Sequence, residues 1–496
     1  MRFDRQSGVF AHVASLPGPH GIGDLGSGAR AFVDFLRDAG QSLWQFCPLG
    51  PTSGAHGNSP YQSYSAFAGE PTFVSLERLA ERPWFDDADV PDDPGFDSHR
   101  VAYDRVREFK REALQTAFEC FRERADDDER ERFAEFRERE AGWVEDYALF
   151  RACKAEFDGA AWADWPEPIR TREPAALDRQ REALADDVAF NAFRQWLFDE
   201  QWRDLRAYAA DREVSLVGDL PIYVALDSAD VWATPAAFDL GPDRQPAAVA
   251  GVPPNPGDDG QRWGNPVYDW EYLRETGYEW WLARLDRLFD LVDVTRIDHF
   301  KGFDQFWAIP ADAESPAEGE WRDGPGTDFF TTVEQELGDL PFLAEDLGFI
   351  EQRLIDLRTR FGFPGMRVPH YADWCTADSR DKPENFPEDA AAYTATHDTD
   401  TTVGWYRDLP ERQRDCLHYA LSTDGEEIHW DLIEAVWNSN AILAFTTMQD
   451  LLGLDSHARF NTPGTAEGNW DWRLTREGLD DDVAERLRYL TDIYVR

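Results

Sequence analysis

The chain has 496 residues, and its 97 Asp+Glu against 50 Lys+Arg give a formal net charge of −47 at pH 7. A chain this acidic lacks the basic surface that nucleic acids and anionic membranes attract, so we expect neither as a partner. Aromatic residues make up 14 % of the chain. Disordered acidic segments are poor in aromatic residues, so we expect a folded core.

The acidic residues are spread along the chain, and the densest run covers only residues 126–129. Only four of the basic residues are lysines. An even acidic surface with few lysines is typical of proteins that stay soluble in concentrated salt, where charge repulsion is screened within about 3 Å. We therefore predict a halophilic protein, with an ordinary acidic protein as the alternative.

Residues 1–6 lack the apolar stretch of a signal peptide, and no run of 18 apolar residues is long enough to span a membrane. These features predict a cytoplasmic protein. The five cysteines are odd in number and include no Cys-x-x-Cys spacing. The sequence therefore predicts neither a disulfide framework nor a zinc site.

Eight short apolar or β-branched runs that end in polar residues predict strands, with helix-period segments such as 29–39 and 278–291 between several of them. Strands that alternate with helices form parallel sheets, and eight of them predict an α/β fold with a closed (β/α)₈ barrel. A doubly wound open sheet is the second choice. The predicted strands cover residues 8–14, 41–47, 214–219, 293–298, 341–346, 365–369, 392–397 and 441–448.

Such a barrel needs about 250 residues, so roughly half of the chain is predicted to be inserted. We expect a single catalytic domain over 1–496 with two insertions. The first, about 72–210, contains interleaved acidic and basic residues typical of solvated helices. The second, about 225–275, includes a stretch at 251–260 that is rich in Pro, Gly and Asp and predicts a loop over the active site.

Ionisable residues stand at the ends of four predicted strands. These are Asp219, Asp298, Glu345 and the pair His397–Asp398. Catalytic residues of barrels come from the carboxyl ends of the strands, so these side chains should meet at one rim. A single Asp at a strand end is more often a helix N-cap, and that alternative fits Asp346. Metal binding is the main competing function for the set.

The spacing of residues along the fourth predicted strand helps to decide between catalysis and metal binding. Arg296 and Asp298 are two residues apart, so both point to the same face of a strand. A structural ion pair is the alternative to a catalytic one. If Glu345 lies on the neighbouring strand, about 4.8 Å away, the two carboxyls approach the roughly 5–5.5 Å separation of retaining glycosidases. Asp298 would then attack the anomeric carbon, and Glu345 would act as acid and base.

Other residues near the rim are less specific. His299 could bind a metal, but it lacks a partner histidine at ligand spacing. His397 is better interpreted as a donor to a sugar hydroxyl, with Asp398 favouring the oxocarbenium-like transition state. Three tryptophans in rim loops could stack on sugar rings, although most tryptophans are hydrophobic plugs. They are Trp232, Trp263 and Trp270.

Ten ordered blocks make the chain resemble the 4-α-glucanotransferases of the amylomaltase type, glycoside hydrolase family 77. The blocks are SLPGPHGIGDLG (15–26), WQFCPLGPT (44–52), SPYQSYSAFAGEP (59–71), GDLPIYVALDSADVW (218–232), GQRWGNPVYDW (260–270), RIDHFKGF (296–303), AEDLG (344–348), GMRV (365–368), THDTDTTVGWY (396–406) and FNTPGTAEGNWDWR (460–473). The resemblance implies a (β/α)₈ barrel with inserted subdomains, no cofactor or metal, and transfer of α-1,4-glucan segments between glucans or maltooligosaccharides.

The resemblance also implies a role for individual residues. Asp298 matches the nucleophile, Glu345 the general acid/base and Asp398 the transition-state stabiliser. Five further residues match substrate-binding positions around the cleaved glucose: Tyr61, Asp219, Trp263, Arg296 and His397. The sequence indicates no oligomeric state.

The chain departs from the family pattern at three places. Thr399 replaces an Asn after the His-Asp pair, residues 255–260 lack the usual Tyr-Phe pair, and 369–371 read Pro-His-Tyr instead of Leu-Gln-Phe. The altered loop motivates one alternative, an α-glucan hydrolase with weak transfer activity. Two more functions stay open: a metal-dependent enzyme that uses Asp219, Asp298 and His299, and a non-catalytic glucan-binding protein.

Overall fold

The structure, a computed structural model, describes residues 3–92, 94–255, 259–348, 350–465 and 467–496. Eight parallel strands close into a barrel in the order β1-β2-β3-β6-β9-β10-β11-β12, with β12 paired to β1. The twelve strands are β1 Gln6–Phe10, β2 Leu43–Gln45, β3 Ser215–Pro221, β4 Ala248–Val252, β5 Gln261–Pro266, β6 Val294–Asp298, β7 Gln305–Pro310, β8 Glu320–Asp323, β9 Phe342–Ala344, β10 Gly365–Arg367, β11 Ala390–Tyr393 and β12 Leu443–Thr447.

The predicted barrel is confirmed, and each of the eight predicted strands contains part of a barrel strand. The seventh is shifted, because β11 ends at Tyr393 and the chain turns before His397 and Asp398. These two residues therefore lie in the loop after the strand rather than on it.

Helices surround the barrel and fill the long connection between β2 and β3. They are α1 Ser27–Asp38, α2 Leu76–Leu79, α3 Tyr103–Arg124, α4 Asp127–Arg139, α5 Val144–Glu156, α6 Glu167–Arg170, α7 Pro174–Ala183, α8 Ala185–Ala210, α9 Ala229–Ala233, α10 Trp270–Glu275, α11 Glu279–Leu291, α12 Lys301–Asp304, α13 Gly326–Leu337, α14 Gln352–Arg360, α15 Thr402–Asp408, α16 Glu411–Leu421, α17 Ile428–Asn438, α18 Met448–Leu451 and α19 Asp481–Tyr494. None of the helices within the described ranges is both long and apolar enough to cross a membrane.

The interior of the barrel shows how strand periodicity positions the site. Val217, Val294 and Leu343 belong to the apolar core inside the barrel. Side chains alternate along a strand, so the residues two positions later share the inner face nearer the carboxyl end. Those residues are Asp219, Arg296 and Glu345.

A second sheet of four antiparallel strands, in the order β5-β4-β7-β8, accompanies the barrel. Two of its strands, β4 and β5, lie within the segment 225–275, for which the Pro/Gly/Asp composition of 251–260 predicted a loop. The chain between them includes Pro256, Gly257 and Asp258, which lie outside the described residues. The local sequence did not indicate these strands, because β4 pairs with β7, more than 50 residues later in the chain.

One disulfide joins Cys375, in the segment after β10, to Cys416 on α16. The other three cysteines are free and buried. The expectation that the cysteines would not form disulfides is therefore wrong for this pair. The two residues are 41 positions apart, and their proximity comes only from the packing of α16.

Candidate active site

An open cleft with a cavity volume of about 610 Å³ lies at the carboxyl ends of the barrel strands. Six of the eight predicted site residues line it directly: Tyr61, Trp263, Arg296, Asp298, Glu345 and Asp398. The other two, Asp219 and His397, are each 4 % exposed and contact Tyr61 below the cleft surface. All eight predicted residues are thus connected in one site.

Arg296 is the central cation of the site. β3 and β6 pair in a register that sets Asp219 opposite Arg296. Nη1 of Arg296 donates to both carboxylate oxygens of Asp219, at 2.8 and 2.6 Å, and lies 3.0 Å from Oδ1 of Asp298. Burial would lower the pKa of Arg296, but Asp219 and Asp298 outweigh it and raise that pKa well above its ordinary value. A permanent positive charge therefore orients Asp298.

Glu345 is in a different environment, although it follows the neighbouring strand. Its Oε2 accepts the backbone N–H of His299 at 2.8 Å, and its Oε1 accepts that of Leu347 at 3.2 Å. Burial raises the pKa of Glu345 to about 7, with Arg296 opposing and Asp298 reinforcing the rise. A carboxyl with a pKa near neutrality can both donate and accept a proton under ordinary conditions.

His299 connects these two carboxylates through its backbone. It follows Asp298 directly and has φ +52°, in the left-handed region that few residues other than glycine adopt. This conformation directs its N–H to Glu345, while its ring packs edge-on against Trp263 with centroids 4.9 Å apart. Burial lowers the pKa of the His299 ring to about 4, so the ring is neutral at pH 7.

Asp398 also lines the cleft. Its Oδ1 accepts from the Asn461 amide at 2.6 Å, and its Oδ2 lies 3.3 Å from His397 Nε2. Burial would raise the pKa of Asp398, but His397 and Asn461 outweigh it and lower the pKa. The same contact with Asp398 raises the pKa of His397 against the effect of burial. Asp398 is therefore held as a carboxylate.

Tyr61 links the two halves of the site. Its hydroxyl donates to Asp219 Oδ2 at 2.8 Å and lies 2.8 Å from His397 Nε2. The Tyr61 and His397 rings are stacked, with centroids 5.3 Å apart and planes at 16°. Tyr61 thus forms part of the cleft surface and fixes the imidazole behind Asp398.

The sequence was compared with known protein families and structures. Residues 11–479 match the sequence model of glycoside hydrolase family 77, which is described as 4-alpha-glucanotransferase. The chain belongs to this family. It is 45 % identical over 501 residues to a 4-alpha-glucanotransferase of Thermus thermophilus, covering 99 % of each chain. It is also 45 % identical to one of Synechocystis sp. over 497 residues, 99 % of this chain and 98 % of that relative.

One solved structure agrees with this assignment to the family, and a more distant one shows the same fold. An amylomaltase from Streptococcus agalactiae in complex with acarbose superposes with a TM-score of 0.95 at 38 % identity, covering 99 % of both chains. An amylomaltase from Corynebacterium glutamicum shares the fold, with a TM-score of 0.77 at 19 % identity over 98 % of this chain and 75 % of that one. The predicted family and enzyme class are confirmed, and the non-catalytic alternative is wrong.

The three tryptophans predicted to lie in rim loops have different environments in this glucanotransferase fold. Trp263 lines the cleft, where its Nε1 donates to Gln261 at 2.8 Å. Trp232 is fully buried and donates to the carbonyl of Ile169, within the helices between β2 and β3. Trp270 is buried among the aromatic rings beside α11. The latter two are hydrophobic plugs, as most tryptophans were expected to be.

Asp346 is not a helix N-cap, because α14 begins only at Gln352. Its Oδ1 accepts the backbone N–H of Met366 at 2.8 Å, and Arg358 and Arg367 each approach it to 3.4 Å. Asp346 therefore fixes β10 against β9 beside the site.

The departures from the family pattern have distinct surroundings. Thr399 Oγ1 accepts the N–H of Thr396 at 2.9 Å and closes the turn that carries Asp398. Tyr371 is 56 % exposed and lines the cleft, while the neighbouring His370 ring stacks on Trp405 at 4.4 Å. The centre of the altered 255–260 loop lies outside the described residues.

The metal alternative required Asp219, Asp298 and His299 to act as one ligand set. The two aspartates instead share Arg296, and the His299 ring packs on Trp263. Within the described ranges, no group of three or more His, Cys, Asp or Glu side chains is arranged to hold a metal ion.

Sequence reasoning missed Asn461 and the backbone role of His299. Asn461 lies within the block 460–473 that carried the family resemblance, but it is more than 60 residues from Asp398, its partner. The only local signal for His299 was its residue type, since His is enriched several-fold among residues with positive φ.

Proposed function

We propose that this enzyme transfers α-1,4-glucan segments from one glucan or maltooligosaccharide to another by a retaining double displacement. The observation that carries the proposal is the contrast between two neighbouring carboxyls. Asp298 lies against a permanent guanidinium charge, whereas burial raises the pKa of Glu345 to about 7. A carboxyl paired with a cation and a second carboxyl whose pKa lies near neutrality are what a nucleophile and an acid/base require.

In the first step, protonated Glu345 donates its proton to the glycosidic oxygen of the donor glucan. An oxygen of Asp298 attacks the anomeric carbon as the bond from that carbon to the glycosidic oxygen breaks. The leaving glucan departs with a new 4-hydroxyl, and the retained segment is an ester of Asp298. Glu345 is left as a carboxylate, accepting the N–H groups of His299 and Leu347.

Asp398 stabilises the positive charge that develops at the anomeric carbon. Asn461 and His397 hold its carboxylate in place before the reaction, so little reorganisation is needed when the oxocarbenium-like transition state forms. We assign Tyr61, Asp219, Arg296 and His397 to the group that binds and orients the glucose unit being cleaved. Tyr61 and Arg296 line the cleft, and Asp219 and His397 lie directly behind Tyr61.

In the second step, the carboxylate of Glu345 takes the proton of an acceptor 4-hydroxyl, whose oxygen attacks the anomeric carbon. The ester bond to Asp298 breaks, and the site returns to its starting state. Two displacements at one carbon retain the α configuration. Trp263, packed on His299 beside Glu345, is our assignment for contact with the acceptor sugar.

An α-glucan hydrolase with weak transfer is the alternative, motivated by the loop 255–260 without its aromatic pair. Incubation with maltotriose separates the two. A transferase produces glucose together with a ladder of longer glucans at a constant number of reducing ends. A rise in reducing ends without longer products would overturn the transfer proposal.

We also propose that 1–496 is one catalytic domain, with residues 72–210 and 225–275 inserted into the barrel. Helices α2 to α8 in the first insertion and strands β4 and β5 in the second support this division. The net charge of −47 supports a halophilic enzyme of the cytoplasm, for which the salt dependence of stability is the test.

A further inference from the structure

Asp450 is a fully buried carboxylate that does not line the catalytic cleft and has no part in the reaction steps given above. It lies on α18, which begins directly after β12, and its N–H donates to Oγ1 of Thr447 at 3.1 Å. β12 is paired with barrel strands on both sides, β11 and β1. The side chain of Asp450 is therefore fixed to the wall of the barrel.

Both oxygens of the Asp450 carboxylate accept hydrogen bonds from two threonines. The Thr394 hydroxyl donates to Oδ2 at 2.6 Å, and the Thr402 hydroxyl donates to the same oxygen at 2.9 Å. The N–H of Thr402 donates to Oδ1 at 2.7 Å. Hydrogen bonds to a buried carboxylate are stronger than those between neutral groups and are costly to lose. One carboxylate thus fastens two residues that are separated along the chain.

The segment between these two threonines carries two residues of the active site. β11 ends at Tyr393 and α15 begins at Thr402, so residues 394–401 belong to neither a helix nor a strand. His397 and Asp398 lie in the middle of this segment. Without the hydrogen bonds of a helix or a sheet, its position depends on how its two ends are attached to the barrel.

The turn at the centre of the segment is hydrogen-bonded within itself. The N–H of Thr399 donates to the carbonyl of Thr396 at 3.3 Å, and the N–H of Thr396 donates to Thr399 Oγ1 at 2.9 Å. These bonds keep the shape of the turn but do not attach it to the barrel. Asn461 holds the carboxylate of Asp398 from the side of the cleft, whereas Asp450 holds both flanks of the turn from the barrel wall.

We propose that Asp450 is a positioning residue, which sets the place of Asp398 in the cleft by clamping both ends of the segment 394–402 to the barrel wall. The inference rests on the proposed function, because it gives Asp450 a part in the same reaction. A misplacement of about 1 Å at a reacting centre can lower a rate by about 100-fold. Asp398 acts on the charge of the transition state, so a loosened clamp should lower kcat and leave KM for maltotriose nearly unchanged.

Two conservative substitutions loosen the clamp from opposite ends. Thr394→Val and Thr402→Val each remove one hydroxyl and nearly keep the shape of the side chain. The Thr402 hydroxyl also lies 3.5 Å from Nε2 of His370, a contact that Thr394 lacks, so agreement between the two variants points to Asp450.

Thr491→Val is the matched control. Thr491 lies on α19 and is 3 % exposed. Its hydroxyl donates to the carbonyl of Leu487 at 2.9 Å and accepts from Gln41 and Trp437 at 2.8 and 3.1 Å. Removing this hydroxyl breaks buried hydrogen bonds but contacts no residue that lines the cleft, so it lowers stability without moving Asp398.

Steady-state rates are measured with maltotriose, and Tm reports the folding of each variant. We expect kcat to fall about tenfold in Thr394→Val and in Thr402→Val, with KM changed by less than about twofold. Thr491→Val should keep the parental kcat. Asp450→Ala should lower kcat by about 100-fold, and the two threonine variants decide the question if it does not fold. Parental kcat in either threonine variant would overturn the proposal.

A double-mutant cycle separates positioning of Asp398 from a general loss of activity. If the clamp acts through Asp398, Thr394→Val should change the residual rate of an Asp398→Ala enzyme by less than about twofold. A further fall of about tenfold in that background would overturn the proposal, because the clamp would then act through other groups.

Failure of this proposal and failure of the proposed function are distinguishable. If the parent enzyme releases glucose from maltotriose without forming longer glucans, the transfer proposal fails, and the same cycle run on glucose release still tests Asp450. If the parent forms longer glucans and either threonine variant keeps the parental kcat, only the role of Asp450 fails.

Discussion

Ion pairs at the mouth of the barrel and ion pairs on the helical surface have nearly the same length. Arg296 and Asp219 are 2.6 Å apart, and Arg137 of α4 is 2.7 Å from Glu145 of α5. The side chains of the first pair are 4 % and 0 % exposed, and those of the second are 36 % and 33 % exposed. Burial rather than distance therefore distinguishes these two ion pairs.

The largest expected effect concerns the cleft. Asp298→Asn keeps the shape of the side chain but removes the nucleophile, so transfer between maltooligosaccharides should fall by about 10⁴- to 10⁶-fold. Product formation from maltotriose is the measurement. Asp127→Asn, at an exposed position of α4, is the surface counterpart and should leave the rate unchanged. More than 1 % residual activity in Asp298→Asn, about 100-fold above the predicted ceiling, contradicts the nucleophile assignment.

Glu345→Gln should lower the rate by about 10²- to 10⁴-fold, because proton transfer to the leaving oxygen is lost. In the parent enzyme, the pKa of about 7 predicts that kcat/KM falls as the pH rises through 7, where Glu345 loses its proton. The pH profile of the variant should lack this alkaline limb.

The raised pKa of Glu345 also makes the stability of the fold depend on pH. Its folded-state pKa lies above the ordinary value of 4.5, so its contribution to stability is fully present below pH 4.5 and is lost as the pH rises through about 7.

Glu138→Gln, exposed on α4, is the control for the activity measurement and should keep the parental pH profile of kcat/KM. An unchanged alkaline limb in Glu345→Gln would contradict the acid/base role.

Breaking one pair from each region tests the comparison itself. Arg296→Met leaves Asp219 buried without its cation and should lower the free energy of unfolding by about 3–5 kcal/mol. Arg137→Met should lower it by at most about 1 kcal/mol, since both members of that pair reach solvent. Urea denaturation at pH 7 measures both. Equal losses would show that burial does not separate the two regions.

The smallest expected effect per charged residue is that of repulsion among the surface carboxylates. Lowering the salt concentration from 1 M to 0.1 M lengthens electrostatic screening from about 3 Å to about 10 Å, so repulsion within the net charge of −47 reaches more neighbours. We expect Tm to fall by several degrees in dilute buffer. Returning KCl to 1 M should restore it. An unchanged Tm at low salt would reject the halophilic interpretation.

The barrel was predictable because its signals are local. Each strand is a short apolar run, and the alternation of side chains then brings Arg296 and Asp298 to one face. Glu345 followed from the same logic on the next strand. These residues need only the register of neighbouring parallel strands, which a (β/α)₈ topology supplies.

The features that escaped prediction depend on contacts between distant segments. Asn461 reaches Asp398 from a loop without periodicity, and the pairing of β4 with β7 is invisible in a stretch rich in Pro and Gly. The left-handed backbone at His299 is imposed by the turn that leaves β6. Residue spacing carries no information on the long-range contacts of Asn461 and β4, and for His299 the residue type was the only signal.

The disulfide between Cys375 and Cys416 gives the enzyme two chemical forms. Tyr371, which lines the cleft, is four residues from Cys375, and the bond fastens this segment to α16. Reduction of this bond would produce two extra thiols and a longer unfastened stretch beside the cleft. The oxidised and the reduced enzyme would then differ in how tightly the segment that carries Tyr371 is held beside the cleft.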